Sequence, residues 1–134
     1  MANTLNLGSR KVASETDSQK VATINELQDE FDASIAGLVE IPITTANVTL
    51  TRTQSLNKIV KLTGTLTGNR VLFIPHTLGA ARHMIIWNAT AGAFTATIKT
   101  TAGGSTGPAI TQGKAQGIFH DNVNVYRAGA EVTP

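Results

Sequence analysis

The chain reads as a mainly β protein: a β-sandwich or jelly-roll-like C-terminal domain of about eight short antiparallel strands, preceded by an extended N-terminal arm and one amphipathic helix. Three observations predict this. Composition breaks between Glu40 and Pro42: residues 1–40 carry three Lys/Arg against seven Asp/Glu, whereas residues 41–134 carry eight against two. Beyond the break, runs rich in Val, Ile and Thr recur at short intervals between Gly-, Asn- and Asp-containing turns. Before it, Ile24, Leu27, Phe31, Ile35 and Leu38 recur at spacings of three and four, the period of one helical face. The expected units are an arm and helix over 1–40 and a β-domain over 41–134.

Residues 1–17 hold little apolar weight beyond Leu5, Leu7 and Val12 and read as an extended arm. Asp17 or Ser18 can cap a helix running to about Leu38, with Gly37 near its end and Pro42 barring continuation. Glu26, Asp29, Glu30 and Asp32 oppose its apolar stripe. In heptad terms Ile24, Phe31 and Leu38 share one position and Leu27 takes the other, where Ser34 interrupts. Two heptads are too few to stand alone. The helix either packs on its own β-domain or joins the same helix from two further chains in a short trimeric bundle, with the five stripe residues as the oligomer interface.

The strand-like runs are Val48–Arg52, Lys58–Thr63, Arg70–Pro75, His83–Asn88, Phe94–Thr100, Ala109–Thr111, Gln116–His120 and Val123–Arg127. Gly68-Asn69, Thr90-Ala-Gly92 and His120-Asp-Asn122 suit tight hairpins, Gln112-Gly113-Lys114 a short turn, and Gly103–Pro108 a looser loop. Phe94, Ala96 and Ile98 alternate with Thr95, Thr97 and Lys99, as in a strand with one buried face. Met84–Trp87 is apolar throughout. Such a strand is buried on both faces, or on one face with a subunit contact on the other.

Aromatic residues make up only 4% of the 134. A core of small aliphatic side chains buries less area per residue than one filled with rings, so burial against further copies of the chain is expected. The Lys and Arg residues of the β-part are spread in sequence without interleaved aromatics, unlike a nucleic-acid-binding surface. No apolar run has the length of a membrane span, and the N-terminus lacks the apolar core of a signal peptide. The chain has no cysteine. Asn47-Val-Thr49 and Asn88-Ala-Thr90 match the glycosylation sequon, as expected by chance in a Thr-rich chain.

Groups capable of catalysis are few. His76, His83 and His120 lack zinc-ligand spacing, and Asp121 and Glu131 are the β-part's only carboxylates. No Gly-x-Ser-x-Gly elbow occurs, and Gly103–Gly107 lacks the lysine of a phosphate-binding loop. The expectation is a protein that is not an enzyme and needs no cofactor or metal.

The run Met84-Ile-Ile-Trp-Asn88-Ala-Thr90-Ala-Gly92-Ala-Phe94-Thr-Ala-Thr-Ile98-Lys99-Thr, with Pro108-Ala-Ile-Thr-Gln-Gly113 and Ile118-Phe-His-Asp121-Asn-Val-Asn-Val-Tyr126, resembles a β-module of tailed-bacteriophage virion proteins. That module occurs in head fibres, capsid decoration or cement proteins and tail fibres. The resemblance covers about residues 57–127. In the module's last hairpin Asp-Gly is usual; here it is Asp121-Asn122, and Asn also tolerates positive φ. The resemblance implies a homotrimer fixed to a phage particle through its N-terminal segment, with the major capsid protein or another virion protein as partner. Its expected place is the virion, assembled in the host cytoplasm. The chain is short for a whole receptor-binding fibre, which favours a capsid decoration or cement protein or a short head fibre. The alternative is a tail-fibre or adhesin module binding host glycans through loops such as Gly103–Pro108 or at Tyr126. Neither nucleic acid nor membrane is an expected partner.

Overall fold

In the computed structural model, which describes residues 17–76 and 81–134, helix α1 spans Asp17–Ala36. The arm read at residues 1–17 lies, apart from Asp17, outside the described residues. Asp17 and Ser18 fall within the first turn of α1. Gly37 ends the helix, donating its N–H to the Ala33 carbonyl at 2.9 Å. Strand β1, Leu38–Pro42, follows at once. Leu38, expected as the last member of the helical stripe, is therefore a strand residue. The reason is competition for backbone partners: Lys58 N–H takes the Ala33 carbonyl and Ile59 N–H takes the Gly37 carbonyl. Apolar spacing runs unbroken across this junction and so cannot mark it.

The remaining elements are β2 (Val48–Thr49), the single-turn helix α2 (Arg52–Ser55), β3 (Ile59–Thr63), β4 (Arg70–Ile74), β5 (Arg82–Asn88), β6 (Ala96–Thr100), β7 (Ala109–Ile110), β8 (Lys114–His120) and β9 (Val125–Arg127). They form two mixed sheets, one ordered β1-β3-β5-β8-β9 and the other β2-β4-β6-β7. The expectation of antiparallel strands holds only for the last three. The first six pair in parallel, β1 with β3 and β3 with β5 in one sheet, β2 with β4 and β4 with β6 in the other. Gly68-Asn69 and Thr90–Gly92 are therefore corners that carry the chain from one sheet to the other, not hairpins. A corner and a hairpin use the same turn residues, so turn chemistry alone does not separate them. Of the three expected tight hairpins only His120–Asn122 forms, joining β8 to β9, and Asn122 has φ 73°, the left-handed conformation expected of it. Strands β6 and β7 also pair antiparallel, across the longer loop that includes Gly103–Pro108.

The chain thus winds through three stacked coils, each giving one strand to each sheet. Ile59 pairs with Ile85 and Arg70 with Ala96, both 26 positions on, so the second and third coils superpose without a gap. Inward positions repeat from coil to coil: Ile41 pairs with Leu62 and Val60 with Ile86 in one sheet, Leu72 with Ile98 in the other, and all six join one aliphatic core. At the corners the ladder is continued by side chains. Asn47 Oδ1 accepts Val71 N–H at 2.9 Å and Asn69 Oδ1 accepts Thr95 N–H at 3.1 Å, each one coil further on. Backbone donors at a turn would otherwise lack partners.

The third coil replaces inward aliphatics with polar residues where the antiparallel strands close the stack. Asn88 occupies the place of Leu62 and is fully buried. Its Nδ2 donates to the Ile110 carbonyl and its Oδ1 accepts Thr90 N–H, so this sequon serves packing. Thr100, at the place of Ile74, donates to the Val123 carbonyl. The Gly103–Pro108 loop is fastened nearby: Thr106 N–H donates to Asn124 Oδ1 at 2.9 Å, and a Cβ on Gly107 would lie 1.7 Å from the Ile98 carbonyl oxygen. A Cβ on Gly103 would touch nothing within 4 Å. Gly107→Ala is therefore expected to cost on the order of 2 kcal/mol or more through overpacking against backbone. Gly103→Ala should stay within about 0.5 kcal/mol of the parent protein. Urea unfolding of the two variants checks this contrast inside one loop.

Candidate assembly interface

Helix α1 meets the rest of the chain through its polar side. Thr23 is 1% exposed and Glu30 8%. The Glu30 carboxylate binds the guanidinium of Arg52, the first residue of α2. Thr51 and Gln54 hold that short helix in a capping box, with Thr51 Oγ1 accepting Gln54 N–H at 3.1 Å and Gln54 Oε1 accepting Thr51 N–H at 2.9 Å. The Arg52 pKa is raised above its ordinary value, chiefly by the hydrogen bond to Glu30. Of the acids expected to face water, Asp29 and Asp32 are exposed, Glu26 is half-buried and Glu30 is buried. Ala33 anchors the C-terminal end through the Lys58 amide.

This docking turns the apolar stripe outward. Ile24, Leu27, Phe31, Ile35 and Leu38 are all exposed, Phe31 by 58% and Ile35 by 62%. Val21, at 59%, extends the stripe by a turn; its spacing of three from Ile24 is the signal that sequence reading passed over. A row of large exposed apolar side chains along one helical face is the kind of surface that protein contacts use.

The outer face of the five-stranded sheet is also rich in apolar groups. Ile85 and Trp87 alternate with the fully buried Met84 and Ile86 and point outward, half-buried. The Lys61 ammonium lies 4.4 Å from the Trp87 ring centroid and 3.3 Å from the Glu40 carboxylate. Across β8 and β9, Phe119 and Tyr126 stack with centroids 5.2 Å apart.

The residues weighed for chemistry are dispersed. His76 bonds Thr101, His83 lies on the surface with Lys58 Nζ 2.9 Å from its Nδ1, and His120 is fully buried at the end of β8. Among the described residues no three metal-ligating side chains come together. Asp121 fastens the hairpin: Oδ1 accepts Val123 and Asn124 N–H, and Oδ2 accepts the Tyr126 hydroxyl. The two backbone donors lead in holding its carboxyl below the ordinary range. Glu131 is likewise lowered, first by Thr111 N–H. No described helix is long and apolar enough to cross a membrane.

His120 supplies a pH test. Its Nδ1 accepts Asn122 N–H at 3.2 Å, and Arg82 sits opposite it in the β5–β8 register. Burial first, and then the Arg82 charge, lower the imidazole pKa. The unfolded imidazole titrates near about 6.5, so on acidification the unfolded chain takes up this proton first. The His120 contribution is therefore complete above about pH 6.5 and is lost as pH falls below that value toward the folded pKa. Urea midpoints at about pH 7.5 and 5.5 should show a drop that shrinks in His120→Asn, whose amide oxygen can still accept Asn122 N–H. No protein-family model, curated protein or solved structure matches the chain.

Proposed function

We propose that the protein is a structural component of a phage particle, a homotrimeric capsid decoration or cement protein or short head fibre anchored through its N-terminal segment. The observation that carries the trimeric part is the solvent-facing stripe Ile24, Leu27, Phe31, Ile35 on a helix whose polar side is already engaged. With Glu30 bound to Arg52 and Thr23 buried, the side of α1 that faces the β-domain is already taken, so another chain is the natural cover for the stripe. Heptad placement of Ile24 and Phe31 suits a narrow coiled-coil seam. The virion assignment rests on the sequence resemblance over residues 57–127.

The purified protein should have the solution mass of three 14.0 kDa chains at micromolar concentration and should co-sediment with phage heads. A stable monomer would overturn the trimer, and failure to bind heads the virion role. Phe31→Ala should weaken the trimer by about 3 kcal/mol per subunit through loss of a buried ring, read from the concentration dependence of mass in sedimentation equilibrium.

A further inference from the structure

We infer that the subunit interface continues from the helix stripe onto the outer face of the five-stranded sheet, where Leu38, Ile59, Ile85 and Trp87 meet a second copy of the chain. This rests on the trimeric reading above and specifies the surface that completes it.

The junction between helix and sheet carries the argument. A single residue, Gly37, separates the end of α1 from β1. Its amide and carbonyl are both bonded, to Ala33 and Ile59 respectively. A Cβ there would lie 2.4 Å from Asn57 Oδ1 and 2.7 Å from the Ala33 carbonyl oxygen. The joint leaves the helix no slack relative to the sheet. Chains that meet along the stripe therefore bring β1 up against their neighbours. Leu38 belongs to both surfaces, closing the apolar series of the helix and opening an outward row of the sheet.

That row runs Leu38, Ile59, Ile85, Gly117 across four strands, at about 4.8 Å per strand. It ends at Gly117, over which the His83 ring lies: a Cβ there would be 3.3 Å from His83 Nε2, so that imidazole rims the row beyond Ile85. The adjoining row is Glu40, Lys61, Trp87. Lys61 already has an acid and a ring as partners within its own subunit, so covering this face strands no lone ammonium. An outward sheet face normally carries polar side chains, and here its centre is isoleucine, isoleucine and tryptophan.

Area points the same way. Stable specific interfaces bury about 800 Å² on each partner, and a two-heptad helix seam is too short to hold chains together alone. The sheet face is the apolar surface contiguous with that seam.

Trp87 is the chain's single tryptophan and reports on the sheet face directly. Phe31→Asp disrupts only the helix seam; its monomer, with native circular dichroism, should show red-shifted Trp87 emission and about twofold or greater acrylamide quenching relative to the wild-type trimer. Ile85→Arg should raise the dissociation constant on the order of tenfold or more, while Thr97→Arg, outward on the other sheet, should leave it unchanged. If Phe31→Asp dissociates the trimer and Trp87 emission and quenching do not move, the sheet face lies outside the interface and the inference fails, with the helix seam intact as a reading. Should Ile85→Arg misfold, the Trp87 comparison decides alone. A monomeric wild-type protein would overturn the seam and the sheet contact together.

Discussion

One buried carboxylate sets the orientation of the helix. Glu30 lies on the side of α1 that a hydropathy plot would send to water, yet it reaches inward to Arg52. A buried ion pair contributes little net stability once desolvation is counted, but removing one partner while the other stays buried is costly. Its effect is therefore orientational: it selects the rotation of the helix that leaves Phe31 and Ile35 outside. Arg52 also acts on Arg82, whose pKa is lowered by burial and then by the neighbouring guanidinium. Arg82 in turn donates from Nη2 to the Leu56 carbonyl at 3.1 Å. The Glu30–Arg52 pair and the Arg82–Leu56 hydrogen bond thus hold the helix and the start of β5 to α2, against the mutual repulsion of the two guanidiniums.

The β-part is held differently, by repetition. Each coil sets the register of the next through parallel ladders and corner asparagines, and aliphatic side chains fill the interior without rings. Where the repetition must end, Asn88 and Thr100 replace the inward aliphatics and bond the strands that close the stack. The same two positions account for the polarity of the last coil's interior, where the parallel ladder gives way to antiparallel pairing.

Much of this was legible in the residues. Seven of the eight strand-like runs from Val48 onward are found within two residues of their expected places, because Val, Ile and Thr alternation and Gly or Asn punctuation act locally. The run read as Val48–Arg52 is a strand only over Val48–Thr49, since Thr51 caps α2 and Arg52 begins it. The ninth strand, β1, was hidden by Pro42 and by the helical spacing of Leu38. Strand direction was not legible: Gly68-Asn69 turns the chain whether the next strand folds back or passes to another sheet, and the partner that decides lies 26 residues away. A search for that period, aligning Ile59–Ile74 with Ile85–Thr100, was the available signal. On the helix, the stripe was plain but its exposure was not, since that depends on Glu30 finding Arg52 across the fold.

The capped stack has unlike ends. Strands β7 to β9 seal one end with antiparallel pairing, while β1 and β2 leave parallel edges at the other, beside the junction from which the helix departs. Three copies gathered about that helix would all point the same way, and the resulting object would have a root and a tip. Such a body can be planted on a surface by one end only, and additional coils inserted between the two would change its height without altering either foot or crown.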